Sequence, residues 1–363
     1  MHQLTPRPGI LDIVPYVGGG SAIAGVAQVI KLASNESALG PSPQAITAYR
    51  QAAGELHHYP DGSTQRLRDA IATRHGLDPA RIVCGNGSDE VLDLLARAYA
   101  GPGDEVLYSQ YGFLVYRLSA TGVGATPVAA PETEYRADVS CLLDHVSART
   151  RVVYIANPNN PTGTYLGADE LVRLREGLPE NVLLVIDAAY AEFAERNDYT
   201  SGLELVDRYE TMVMTRTFSK AYGLAALRLG WAYCPPAVAD VLNRLRQPFN
   251  VTAPAQAAGI AALEDSAHLD AARVHNDYWL PKLSHDIAAI GFPVVPSIAN
   301  FVLVRFADAA AARAVNGHLR GDGIIVRDMA AYGLPDCLRI TVGRDEENAL
   351  LLESLRRHAA QAA

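Results

Sequence analysis

Thr211-Met-Val-Met-Thr-Arg-Thr-Phe-Ser-Lys220, with Arg228 eight residues further on, is a short apolar run that leads into hydroxyls and a primary amine. The stretch Thr211–Thr215 predicts a buried strand, which would deliver Lys220 to the rim of a sheet. An amine there, flanked by Thr217 and Ser219 and followed by a guanidinium, can form a Schiff base with an aldehyde. The Ser, Thr and Arg would hold a phosphate attached to that aldehyde. A single Ser-Lys after a strand is more often an ordinary surface lysine, so the reading depends on what surrounds it.

Working outward, Val182-Leu-Leu-Val-Ile186 is a second apolar run, ending in Asp187 with Tyr190 three residues later. It predicts a buried parallel strand, and the carboxyl end of such a strand is where open α/β sheets place ligands. A carboxylate at that point can pair with a protonated ring nitrogen, and a nearby phenol can donate to a ring oxygen. A third apolar run, Val152-Val-Tyr-Ile-Ala156, leads into Asn157-Pro-Asn-Asn-Pro-Thr-Gly163, a rigid turn rich in side-chain amides. Further upstream, Arg81-Ile-Val-Cys-Gly-Asn-Gly-Ser-Asp-Glu90 reads as strand, glycine loop and helix entry. The first amides of that helix, at Ser88 and Asp89, form an anion site that suits a phosphate. The spacing matches neither the dinucleotide nor the nucleoside-triphosphate loop pattern.

With 363 residues the chain is longer than one core usually organises, so two lobes are expected. Lys plus Arg number 31 against 40 Asp plus Glu, a net charge of −9 that argues against nucleic acid as a partner. The sequence shows neither a signal-peptide profile nor an apolar stretch of membrane-spanning length. Cys84, Cys141, Cys234 and Cys337 are scattered without C-x-x-C spacing, which fits reduced thiols in a cytoplasmic protein.

Strand-like runs alternate with amphipathic segments from about residue 43 to 255, which predicts an α/β fold with a mostly parallel central sheet flanked by helices. Ala168–Glu176 and Ala253–Asp265 are helix candidates. Beyond them Val294-Val-Pro, Phe301–Phe306 and Leu338–Val342 suggest a small antiparallel sheet, covered by helices at 307–314 and 349–363. This gives a smaller α+β domain.

Together these segments resemble the fold type I, pyridoxal-phosphate-dependent aminotransferases. The matching motifs are the glycine loop, N-P-N-N-P-T-G, D-x-x-Y and S-K-x-x-G-L-x-x-L-R-x-G ending at Gly230. Within that group the likeness is to the histidinol-phosphate aminotransferase branch. It is carried by Lys31-Leu-Ala-Ser-Asn-Glu-Ser37, His58-Tyr-Pro-Asp61, Val326-Arg-Asp328 and Cys337-Leu-Arg-Ile-Thr-Val-Gly343, in order from about residue 12 to 345.

The resemblance implies pyridoxal 5′-phosphate as cofactor and a homodimer with shared active sites. It implies an N-terminal arm and part of the small domain in 1–42, a large cofactor domain in 43–258 and a small C-terminal domain in 259–363. Lys220 would be the catalytic amine, Asp187 the partner of the ring nitrogen, and Tyr190 and Asn160 the donors to the ring's phenolate oxygen. Ser88, Asp89, Thr217, Ser219 and Arg228 would anchor the phosphate, Tyr111 would stack on the ring, and Tyr59 would reach the neighbouring subunit's cofactor.

For substrate, Arg339 would clamp an α-carboxylate and Arg327 a distal phosphate, with Tyr16 and Asn35 in the same pocket. A structural salt bridge at Arg339, and plain packing at Tyr16 and Asn35, are the competing readings. The implied reaction joins histidinol phosphate and 2-oxoglutarate to give imidazole acetol phosphate and glutamate. Two departures, Ser37-Ala-Leu-Gly40 and Gly18-Gly-Gly20, fall near the substrate entrance and leave a phenylalanine or tyrosine aminotransferase as the alternative. A phospho-amino-acid decarboxylase of the same fold is a further rival. A ligand-sensing domain of a transcription regulator would be expected to carry a DNA-binding extension, and Lys220, Asp187 and Arg339 together favour an enzyme over it.

Overall fold

The computed structural model describes residues 5–16, 18–26 and 28–362, so Met1–Leu4 and Val17 in the N-terminal arm lie outside the described residues, as do Ala27 and Ala363. Seven strands form the larger sheet, in the order Ile82–Gly85, Gly230–Tyr233, Met212–Thr217, Leu183–Asp187, Thr150–Ala156, Glu105–Ser109, Thr126–Ala130. Only Gly230–Tyr233 runs against its neighbours. The mostly parallel sheet expected from the alternating runs is therefore present.

The runs are continuously apolar because both faces of this sheet are covered. Val153, Ile155, Leu184 and Ile186 enter one buried cluster, while Val152, Tyr154, Leu183 and Val185 enter the other. The two-residue alternation sends successive side chains into separate cores. One polar residue stands at the end of each apolar run, so Asp187, Asn157 and Thr217 gather along a single edge.

The second sheet has the order Ile30–Leu32, Ile324–Asp328, Cys337–Thr341, Phe301–Arg305, Val294–Val295. Four of its strands pair antiparallel as expected, but Ile30–Leu32 lies parallel to Ile324–Asp328, so the sheet is mixed. No tight turn joins those two segments. Antiparallel pairing is imposed by short hairpins, and a strand donated from a distant part of the chain is free of that constraint.

The sequence reading did not delineate the 25-residue helix Ser266–Ile290, which contains Pro281. Its buried positions recur at helical spacing: Leu280, Leu283 and Ile287 cover the small sheet, while Leu269 packs into the core of the large one. Among the described residues no helix is long and apolar enough to cross a membrane. All four cysteines are free.

Candidate functional site

A cavity of about 290 Å3 opens at the polar edge of the large sheet, against the small one. Its lining includes Ser88, Asp89, Asn160, Asp187, Tyr190, Thr217, Ser219, Lys220 and Arg228, joined from the other side by Tyr16, Asn35, Arg327 and Arg339. Thirteen of the fifteen residues singled out from the sequence therefore meet at one place.

The floor is the carboxyl end of two adjacent parallel strands. Asp187, the last residue of its strand, is buried and accepts hydrogen bonds from the Tyr116 hydroxyl at 2.8 Å and Thr215 Oγ1 at 3.3 Å. Burial pushes its carboxyl up to about 6, and the Tyr116 hydrogen bond opposes that rise. Lys220 Nζ donates to the carbonyl of Ser34 at 3.1 Å. Burial, and then the charge of Arg339, hold its amine down to about 8. A lysine this close to neutral is competent as nucleophile and as base.

One end of the cavity is built for an anion. Helix Ser88–Tyr99 starts there with Gly87 as its cap residue, so no side chain occupies its first amides. Thr217 Oγ1 donates to Ser219 Oγ at 3.0 Å, and Arg228 Nη1 donates to the same oxygen at 3.3 Å. Arg228 also pairs with Asp89 at 3.0 Å. Backbones approach too closely here for side chains: a Cβ on Gly230 would stand 2.2 Å from the amide nitrogen of Ser88. A concave cradle of amides, hydroxyls and a guanidinium fits a phosphate, and Lys220 stands within the same cavity for an attached aldehyde.

Above the floor, Tyr190 OH accepts from Asn35 Nδ2 at 2.8 Å, which leaves its own proton for a ligand oxygen. Asn160 is engaged through Oδ1 by Arg339 Nη1, which likewise leaves its amide protons as donors. Both residues are thus prepared to donate to one oxygen. Asn35 does more than pack. Held at φ 54° by its amide's bond to Thr341 Oγ1 and by Asn300, it orients Tyr190.

The opposite end carries cations. Arg339 and Arg327 face each other across adjacent strands. Arg339 is buried, donates to Asn160 and to the carbonyl of Ala33, and keeps an unpartnered Nε. Among the described residues it has no carboxylate partner, so the structural salt bridge is not what occupies it. A buried guanidinium with carbonyl partners only is short of an anion. Arg327 lies 5.7 Å from the Tyr16 ring.

Two expected residues are elsewhere. Tyr111 stacks on Tyr135 with centroids 6.0 Å apart and lines a neighbouring cavity, while Phe113 reaches the main one. The turn closed by the Gly112 amide on the Ser109 carbonyl separates the two rings, so the residue placed on the ring face by the motif is not part of this lining. Tyr59 is 82% exposed and stacks on Phe249 at 4.6 Å, outside the cavity lining. Tyr116, Thr215 and the Ser34 carbonyl were not singled out from the sequence. Thr215 and Ser34 stand inside quoted segments with nothing to mark them individually, and Tyr116 lies in an ordinary amphipathic helix.

The chain matches the family model for aminotransferase class I and II over residues 27–355. It is 60% identical over 358 residues to the histidinol-phosphate aminotransferase of Paramagnetospirillum magneticum, covering 98% of this chain and 99% of that protein. A relative of the same name from Rhodospirillum centenum is 58% identical, covering 96% and 97%. The crystal structure of histidinol-phosphate aminotransferase from Sinorhizobium meliloti in complex with pyridoxal-5′-phosphate superposes with a TM-score of 0.90 at 33% identity, covering 98% of both chains. The amine, the acid and the phosphate cradle lie in the fold those proteins share, and the chain belongs to the aminotransferase class I and II family.

Proposed function

We propose that this chain transfers the amino group of histidinol phosphate to 2-oxoglutarate, giving imidazole acetol phosphate and glutamate in histidine biosynthesis, with pyridoxal 5′-phosphate as cofactor. The observation that carries the reading is the cavity in which Lys220 and Asp187 lie between a phosphate cradle and the Arg339–Arg327 pair. Pyridoxal phosphate, when bound, supplies an electron sink for ionisation of the substrate Cα–H.

The residues divide the remaining work. The Ser88 and Asp89 amides, Thr217, Ser219 and Arg228 hold the phosphate, which fixes the ring against Lys220. Asp187 retains a proton at the ring nitrogen, and Tyr190 and Asn160 donate to the ring's phenolate oxygen. Lys220 Nζ takes the proton from the substrate Cα and returns it on the cofactor side, a shuttle suited to an amine held at about 8.

At the other end, an amino-acid or 2-oxo-acid carboxylate meets Arg339 in the bidentate geometry that lysine lacks. Arg327 adds the second positive charge that a phosphate dianion demands. Tyr16, exposed but lining both this cavity and the one beside it, closes the wall near Arg327. We assign the large lobe to 43–258 and the small lobe to 1–42 with 259–363, supported by the two separate sheets.

The same proposal includes a homodimer. Tyr59, Leu56 and Phe249 expose aromatic and aliphatic surface that fits a partner subunit, with Tyr59 reaching the partner's cofactor phosphate. A cytoplasmic setting is supported by the four free cysteines. The decisive experiment compares kcat/KM for histidinol phosphate and for phenylalanine, each with 2-oxoglutarate. A preference of roughly a hundredfold or more for the phosphate ester, about 2.7 kcal/mol of discrimination, supports the reading. Comparable values, or a preference for phenylalanine, replace it with an aromatic aminotransferase.

A further inference from the structure

Asp187 is reached from behind by a residue that has no part in the cavity lining. Tyr116, in helix Leu114–Val123, is fully buried, and its hydroxyl donates to Asp187 Oδ2 at 2.8 Å. Its ring is immobilised on two sides: it stacks on Tyr154 with centroids 4.8 Å apart and planes 6° apart, and it meets Phe113 edge-on at 6.0 Å. Tyr154 is in turn tied to the phosphate-binding helix, its hydroxyl donating to the Leu92 carbonyl at 2.7 Å. Phe113 lines the cavity itself. A single packed unit therefore joins the helix that opens at the phosphate cradle to the buried Asp187 carboxylate.

We propose that Tyr116 is a positioning residue of this reaction: clamped by Tyr154 and Phe113, its phenol holds the Asp187 carboxylate in its charged form and in one orientation toward the cavity. This rests on the assignment of Asp187 to the ring nitrogen.

The physical argument is a competition. Burial disfavours the charged carboxylate, and the nearby charge of Asp89 on helix Ser88–Tyr99 adds to that. Hydrogen bonds received from Tyr116, from Thr215 on the adjacent strand and from the Ala189 amide favour it. The other titratable groups around Asp187 give it no compensating donor. The hydroxyl of Tyr154 is spent on a carbonyl and that of Tyr199 donates to the Asn157 carbonyl, while Tyr190 accepts from Asn35 and keeps its proton for a ligand oxygen in the cavity. Lys220 Nζ is engaged by Ser34. Tyr116 is then the short side-chain hydrogen bond standing between Asp187 and protonation. A protonated Asp187 cannot keep a proton on the ring nitrogen, so the electron sink is lost as pH falls.

The sign follows directly. Removing the donor raises the Asp187 pKa, so the variant behaves like the parent at alkaline pH and fails as pH falls through the raised value. A hydrogen bond to a charged group shifts a pKa by roughly one to two units.

The test is Tyr116→Phe, which keeps the stack, with Thr215→Val as the weaker companion. Cofactor dissociation constants are measured by equilibrium dialysis at mildly acidic and at alkaline pH, beside thermal melts and the pH profile of kcat. The expected result for Tyr116→Phe is a pyridoxal-phosphate affinity weakened roughly tenfold or more at acidic pH and close to the parent's at alkaline pH. The acid limb of kcat should move up by roughly one to two pH units. Thr215→Val should give the same split in smaller measure. A uniform loss at both pH values, or no loss at either, overturns the proposal and leaves Tyr116 as packing. The affinity measurement needs no substrate, so a pH split in a protein that does not turn over histidinol phosphate would sink the substrate reading and sustain this one.

Discussion

The two ends of the cavity are assembled in opposite ways. At the phosphate end, Thr217, Ser219, Lys220 and Arg228 come from one short stretch of chain, Asp187 ends a neighbouring strand, and Ser88 opens the helix that follows another strand of the same sheet. At the substrate end, Asn35 and the Arg327–Arg339 pair come from opposite ends of the sequence. The bond from Arg339 to the Ala33 carbonyl spans 306 positions. Parallel strands hold the first end rigid whatever the ligand, whereas the second exists only when the small sheet is docked against the large one. Cofactor binding should therefore withstand damage at the substrate end, and substrate binding should be sensitive to both.

Lys220→Ala gives the largest effect. It should remove the cofactor's lysine-dependent visible absorbance and lower turnover by about 10^4-fold, the upper end of general acid–base catalysis. An unchanged spectrum would end the comparison by removing its centre.

Arg339→Ala probes the other end. It should reduce kcat/KM by roughly 10^2- to 10^3-fold for glutamate, whose carboxylate it clamps, while leaving cofactor affinity nearly intact. Equal losses of cofactor and substrate affinity would show the two ends to be one unit, coupled through the Arg339–Asn160 bond. Arg327→Ala sharpens the contrast within that end. It should harm the phosphate ester about 10^2-fold more than phenylalanine, since a bidentate Arg–phosphate pair has no counterpart on a phenyl ring. Equal loss on both substrates would make Arg327 structural.

Gly230→Ala attacks the rigid end with a single methyl. The new carbon would stand 2.2 Å from the Ser88 amide nitrogen, so the helix start must shift. Overpacking of this kind costs about 1–3 kcal/mol, and melts with and without cofactor should show a larger deficit in the loaded protein. An equal deficit in both would mean that the cradle tolerates the displacement.

The smallest effect is a shift along the pH axis. Cofactor-free protein should capture pyridoxal phosphate at a rate that rises with pH and levels off above about 8, because capture needs neutral Lys220. Arg339→Met removes a charge that lowers the lysine pKa, so the plateau should move to higher pH. A plateau that stays in place would separate the two ends more completely than the structure implies.

The phosphate end was legible in the sequence because its chemistry lies where periodicity breaks. Asp187 ends an apolar run, and Lys220 closes the hydroxyl-bearing stretch that follows another, so each is conspicuous against its neighbours. Arg339 was visible for a related reason, being a charged residue inside a strand pattern. Tyr116 was not, because it occupies an ordinary inward position of an amphipathic helix and its importance depends on the atom it meets. Tyr111 shows the converse. It stands in the expected motif, but a local turn sends it against Tyr135 and brings Phe113 to the cavity.

The parallel Ile30–Leu32 strand and the long Ser266–Ile290 helix were likewise hidden. Three residues of strand carry too little pattern to reveal a partner nearly three hundred positions away, and the helix contains a proline that ordinarily marks a boundary.

By itself the sequence determined the layered α/β architecture, the amine, the acid and the phosphate cradle, since these follow from local alternation and from residue types at strand ends. Only the tertiary structure decided which partners hold Asp187, Tyr190 and Arg339, and that among the described residues no carboxylate pairs with Arg339. The reason is that hydrogen bonds and burial are set by distances between segments far apart in the chain, which no local pattern encodes.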